Sequence, residues 1–171
     1  MNITLHFPAG VYEDLLAHLL PSNQRVEEAV FAFVQAKQLP GEVRLEFVEA
    51  EKLFPKDFAV QHKIYLELTD VTRRRLIKRA HDLKASIIEM HSHVGEWPAE
   101  FSSSDRAGLK ETVPHMWWRL QKRPYGAIVV ANDTFDALMW VANPEDPEKL
   151  HVLVAGTRTL RPTNNSIGDW S

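Results

Sequence analysis

The chain has no cysteine. That absence removes disulfides, thiol nucleophiles, iron–sulfur clusters and every thiolate zinc site together, so any zinc must be held by histidine and carboxylate. A long apolar run is missing too, and nothing approaches the length of a membrane span. Neither charge sign dominates. Twenty Lys+Arg against 23 Asp+Glu give a formal net charge of −3, which makes no electrostatic case for nucleic acid or an anionic membrane as partner. The opening stretch Met1–Phe7 lacks the basic segment and apolar core of a signal peptide, so a soluble cytoplasmic protein is expected.

What is present fits one globular domain. At 171 residues, with 44% hydrophobic and 25% charged positions, the chain can bury a substantial core. Ile3, Leu5 and Phe7 alternate as a first strand, and a helix from Pro8 to Pro21 carries Val11, Leu15, Leu16, Leu19 and Leu20. Val26–Val34 reads as a largely buried strand, followed beyond Pro40-Gly41 by a strand through Val43, Leu45 and Phe47. Ile64, Leu66 and Leu68 alternate in turn, and Thr69 or Asp70 caps a helix reaching Leu83. Ala85–His93 forms the central strand, apolar on both faces and therefore internal to a covered sheet. A helix beginning at Ser102 is expected to end or kink at Pro114. Tyr125–Ala131 and Phe135–Val141 pair around Asn132-Asp133, and Leu150–Val154 is a last strand. The fold class is α/β, a single-domain mixed β-sheet flanked by helices over residues 1–157. Residues 158–171 are expected to form a polar, peripheral tail.

The informative stretch is His91-Ser92-His93 with Ser102 and Asp105 downstream. In an extended segment, side chains at i and i+2 leave on one face, so His91 and His93 can reach one metal ion together. Asp105 would complete a His-His-Asp set of the kind that leaves a zinc coordination position open. Such a site needs a general base and a donor for the developing oxyanion. Ser102 offers the hydroxyl, and the acidic pair Glu27-Glu28 the base. Each element also has a plainer explanation. Ser102-x-x-Asp105 spells a capping box, and Glu27-Glu28 could be the solvated entry to a strand. The co-occurrence of all five favours a site.

The order Glu, long gap, His-Ser-His, Ser-x-x-Asp resembles the JAMM (MPN-plus, JAB-domain) zinc metallopeptidases over about residues 1–142. Three departures stand out: Val94 where the family commonly has Pro, a Val94–Phe101 spacer one residue longer than usual, and Ala29-Val30-Phe31 in place of a small Cys-Gly pair. The resemblance implies a JAB/MPN-like (cytidine-deaminase-like) architecture with Zn2+ bound by His91, His93 and Asp105. It also implies Ser102 steadying the tetrahedral intermediate and an upstream glutamate as base. Glu27 is favoured over Glu28, since adjacent strand residues face opposite ways and only one can serve; Glu89 is a supporting residue or a third option for the base. The implied activity is that of a deubiquitinase-like isopeptidase, similar to bacterial members associated with ubiquitin-like conjugation systems. Its partners would be a ubiquitin-like protein or its conjugates and E1-like and E2-like proteins. A zinc hydrolase of a small amide and a catalytically silent scaffold are the competing readings.

Two further features have plain readings. Arg73-Arg74-Arg75 with Lys78 and Arg79 makes one side of a helix basic, best read as a solvated face. Trp97 is either a substrate-facing residue or a loop anchor, while Trp117 and Trp118 are read as packing residues.

Overall fold

The computed structural model describes residues 1–171. In chain order the elements are β1 (Asn2–Phe7), α1 (Val11–Leu19), β2 (Ala29–Leu39), β3 (Glu42–Lys52), β4 (Phe58–Gln61), β5 (Leu66–Leu68), α2 (Asp70–Leu83) and β6 (Ser86–Ser92). They continue as α3 (Ser103–Arg119), β7 (Tyr125–Ala131), β8 (Thr134–Trp140), β9 (Val152–Ala155) and β10 (Arg158–Leu160). Eight strands form one mixed sheet in the order β10-β9-β1-β3-β2-β6-β7-β8, and β4 and β5 make a separate hairpin. The protein is thus mixed α/β. No helix is long and apolar enough to cross a membrane.

The alternating sequence patterns account for the layers. β6 lies between β2, antiparallel to it, and β7, parallel to it. Ile88 and Met90 enter the apolar layer beneath α1, and Ala85 and Ile87 enter the layer beneath α2 and α3. Period-two alternation in a strand covered on both sides produces this split. Thr69 caps α2 by accepting from the Thr72 amide at 3.1 Å. The β7–β8 turn uses Asn132 in the left-handed region, φ 55°, where asparagine is tolerated.

Three expectations are corrected. The strand expected at Val26–Val34 begins at Ala29 and runs to Leu39, because no breaker interrupts its pairing with β3 before the Gly41 turn. Pro114 does not end α3, which continues to Arg119. Leu109, Val113, Met116 and Trp117 are all buried along one stripe, and their burial outweighs the hydrogen bond that proline removes. The tail from Arg158 is not peripheral. β10 extends the sheet beside β9, and Trp170, only 9% exposed, packs edge-on against Trp140. Its polar residues are consumed as partners: Ser166 donates its amide to Asp136 and accepts from the Phe101 amide, and Thr163 and Asn165 both donate to the Ala99 carbonyl.

Candidate metal centre

β6 and the residue just past its end deliver the two imidazoles. His91 leaves the strand on the α2–α3 side, and His93, two residues on, follows it. Asp105 arrives from the first turn of α3. The two Nε2 atoms are 3.2 Å apart, and Asp105 Oδ2 lies 3.3 Å from that of His91 and 2.9 Å from that of His93. A tetrahedral zinc with ligand bonds of about 2.0–2.1 Å has edges of about 3.3–3.4 Å, close to this triangle. The chemistry of the donors agrees. A neutral imidazole carries one N–H, yet both Nε2 atoms face each other and a single carboxylate oxygen. A cation satisfies all three lone-pair sites at once. This is the one group of three His or carboxylate side chains in the chain whose ligand atoms converge so closely.

Burial and charge set the protonation of the group. Burial alone would raise the Asp105 carboxyl, but hydrogen bonds from His91 and His93 hold it well below the usual carboxylate range. Burial disfavours the charged form of His91, and the Asp105 hydrogen bond with the nearby carboxylates overrides it and raises the ring above its ordinary value. Burial likewise pushes Glu27 up, against the opposing pull of His91 and His93.

The two adjacent glutamates part company. Ala29 pairs with His91 across the sheet, so Glu27, two residues earlier, falls on the histidine side just before β2 begins. Its carboxylate is 3.8 Å from His93 Nε2 and the residue is 4% exposed. Glu28 turns the other way, 3.9 Å from His18 on α1 and accepting from Gln61 at 3.1 Å. Of the pair, the structure brings Glu27 to the histidines and takes Glu28 away. Glu27 is pinned from both flanks. Its amide donates to the His62 carbonyl and its carbonyl accepts from Gln61, both from the β4–β5 hairpin. On the next residue, the Glu28 amide donates to Ser92 Oγ at 3.0 Å, and Gln24 donates to the same oxygen at 2.8 Å.

Sequence reasoning missed Ser92 and Gln24 as the residues that fix the glutamate. The signal was available. Ser92 sits between two histidines on a buried strand, so its hydroxyl must face the opposite layer, where an unpartnered polar group is costly.

Ser102 does two things. Its Oγ accepts from the Asp105 amide while Asp105 Oδ2 accepts from the Ser102 amide, both at 3.0 Å. The capping box is therefore real, and it aims the same Asp105 oxygen that meets the histidines. The Ser102 hydroxyl proton is not used by that box, and the residue is exposed at the lip of a cavity of about 270 Å³ with His93, Trp97 and Ile64. Trp97 is 82% exposed, so it is no loop anchor. A second cavity, about 350 Å³, opens on the other side of the cluster beneath α2 and α3. Glu27 lines both cavities.

The remaining candidates separate cleanly. Glu89 accepts from the Tyr125 hydroxyl at 2.6 Å and contacts neither histidine by hydrogen bond. Arg75 pairs with Glu51 and Asp57, and Arg79 with Glu49, so much of the basic helix face is neutralised by β3 and its flank. Trp117 is buried and Trp118 is 73% exposed. Arg106 donates to the Phe101 carbonyl, and Lys110 lies over the Trp170 ring. No protein-family model and no curated protein sequence matches the chain.

Proposed function

We propose that this chain is a zinc-dependent peptidase or isopeptidase that cuts the bond at the C-terminus of a ubiquitin-like protein. The proposal places it with the JAB-type metallopeptidases that its His-Ser-His and Ser-x-x-Asp pattern resembles. One observation carries it: a His91–His93–Asp105 triangle of zinc-ligand dimensions with the buried Glu27 carboxylate 3.8 Å from His93.

His91, His93 and Asp105 would hold the zinc, which when bound would supply Lewis acidity toward a carbonyl and lower the pKa of water toward about 7. Glu27 takes the proton of the attacking water on its carboxylate and passes it to the leaving nitrogen. Burial raises its affinity for that proton, which suits a group that must both accept and release it. Ser102 donates its free hydroxyl proton to the oxygen that gains charge as the carbonyl becomes tetrahedral. A C–O bond forms, the C–N bond breaks, and the amine leaves with the proton carried by Glu27. The cavity beside Trp97 and the Val94–Phe101 loop suits an extended tail ending in small residues.

The test is release of a C-terminal extension from a ubiquitin-like protein by the zinc-loaded chain. Release that stops with a chelator and returns with zinc is expected. Release untouched by chelation, or a fully zinc-loaded chain that releases nothing, contradicts the proposal.

A further inference from the structure

The 350 Å³ cavity beneath α2 and α3 has Glu27, His91 and Asp105 in its wall and extends beyond them between the hairpin and the two helices. Its volume falls in the range of small-molecule and side-chain pockets. The walls are apolar: Phe31 from β2, Leu68 from the hairpin, Leu76 from α2 and Leu109 from α3. Its polar lining is unbalanced. Glu67 and Glu111 are exposed at the rim and Glu89 lies deeper on β6, against a single guanidinium, Arg73. Arg73 makes no side-chain ion pair at hydrogen-bonding distance, though its charge acts on Glu89 and Tyr125 across the cavity, whereas Arg75 and Arg79 on the same helix are both paired directly.

Position along β6 adds a length. Glu89 precedes His91 by two residues on the same face, a separation of about 7 Å along the strand. A group entering beside the metal ligands meets the Glu89 carboxylate at that depth, near the reach of a lysine or arginine side chain. The Tyr125 hydroxyl bonds one Glu89 oxygen at 2.6 Å and holds the carboxylate in place. Apolar walls with a carboxylate at depth and further acids at the rim match an aliphatic stem ending in a cation.

We propose that this cavity receives the side chain on the leaving-amine side of the scissile bond and selects an aliphatic chain ending in a cation. The assignment of sides rests on the peptidase reading above, in which the Trp97 cavity takes the tail. The binding preference does not depend on that reading.

Binding of n-butylguanidinium and its neutral isostere n-butylurea to the zinc-loaded chain, by calorimetry, tests the pocket without needing turnover. A guanidinium does not compete for zinc at neutral pH, so the comparison reports the cavity. The cation is expected to bind at least tenfold more tightly than the urea. Glu89→Gln should bring the two within about twofold while keeping one zinc per chain. Leu68→Trp, on the half-exposed hairpin strand, should fill the mouth and abolish binding of both. Equal binding by the wild type, a preference that survives Glu89→Gln, or binding that survives Leu68→Trp overturns the proposal. Hydrolysis is scored separately. A selective cavity on a chain that cleaves nothing removes the peptidase reading and leaves the pocket, whereas cleavage with no selectivity does the reverse.

Discussion

β6 gives Ile88, Met90 and Ser92 to one side of the sheet and Ile87, Glu89 and His91 to the other. On the α1 side, the polar groups next to the histidines have separate partners: Ser92 takes Gln24 and the Glu28 amide, and Glu28 takes Gln61. On the α2–α3 side, His91, His93, Asp105 and Glu27 converge on one another beside two cavities. The same backbone period built both sides. On one side the polar groups face shared space, and the opposite side serves as the mount that aims them.

The contrast breaks most visibly at Asp105. Sharing the roughly 10–16 kcal/mol of a four-ligand zinc site gives about 2.5–4 kcal/mol per ligand. Asp105→Asn should therefore weaken zinc binding by roughly 10²–10³-fold, read by competition with a chromophoric chelator. Zinc affinity unchanged by this substitution would show that the triangle is only a hydrogen-bonded cluster.

Ser92→Ala comes next, and it tests whether the α1 side positions the other. It leaves the Glu28 amide and the Gln24 side chain without their acceptor, at about 1–3 kcal/mol of stability. Turnover should fall while zinc content holds, because the orphaned donors flank Glu27 in sequence whereas the His93 amide keeps its bond to the Val130 carbonyl. Ile88→Val, in the apolar layer, should lower stability by about 0.5–1.5 kcal/mol in denaturant unfolding and leave zinc binding and turnover alone. Loss of zinc from that variant would mean the two sides are not separable.

The smallest effect is in pH. His91 is held above 6.5 by Asp105 and the nearby carboxylates. In the metal-free chain its contribution to stability is full below 6.5 and is lost as pH rises through the raised value. Zinc must displace the same proton, so its affinity should decline as pH falls through that range. His91→Gln should flatten the stability profile there.

Much of this was legible in the sequence, for reasons tied to particular residues. Strand period alone put His91 and His93 on one face and separated Glu27 from Glu28, and the structure follows it. Ser102-x-x-Asp105 spells either a cap or a site, and the structure realises the cap with the same Asp105 oxygen that meets the histidines. What escaped depended on distant partners. Pro114 looked like a stop because its cost is local, whereas the burial that overrides it comes from the sheet packed against α3. The tail beyond Arg158 looked peripheral because its residues are polar. Asp136, 30 positions upstream of Ser166, is what makes burying them favourable. Val94 and the longer spacer before Ser102 did not prevent Asp105 from meeting both histidines, because Ser166 and Asn165 hold the spacer's end in place.

The most direct measurement is zinc content and turnover of Glu27→Gln beside Glu28→Gln. One zinc per chain is expected in both, with turnover of Glu27→Gln reduced by about 10²–10⁴-fold and that of Glu28→Gln within about twofold of wild type. A Glu27→Gln chain that keeps its turnover, or one that sheds its zinc, contradicts the separation of metal-holding residues from the base.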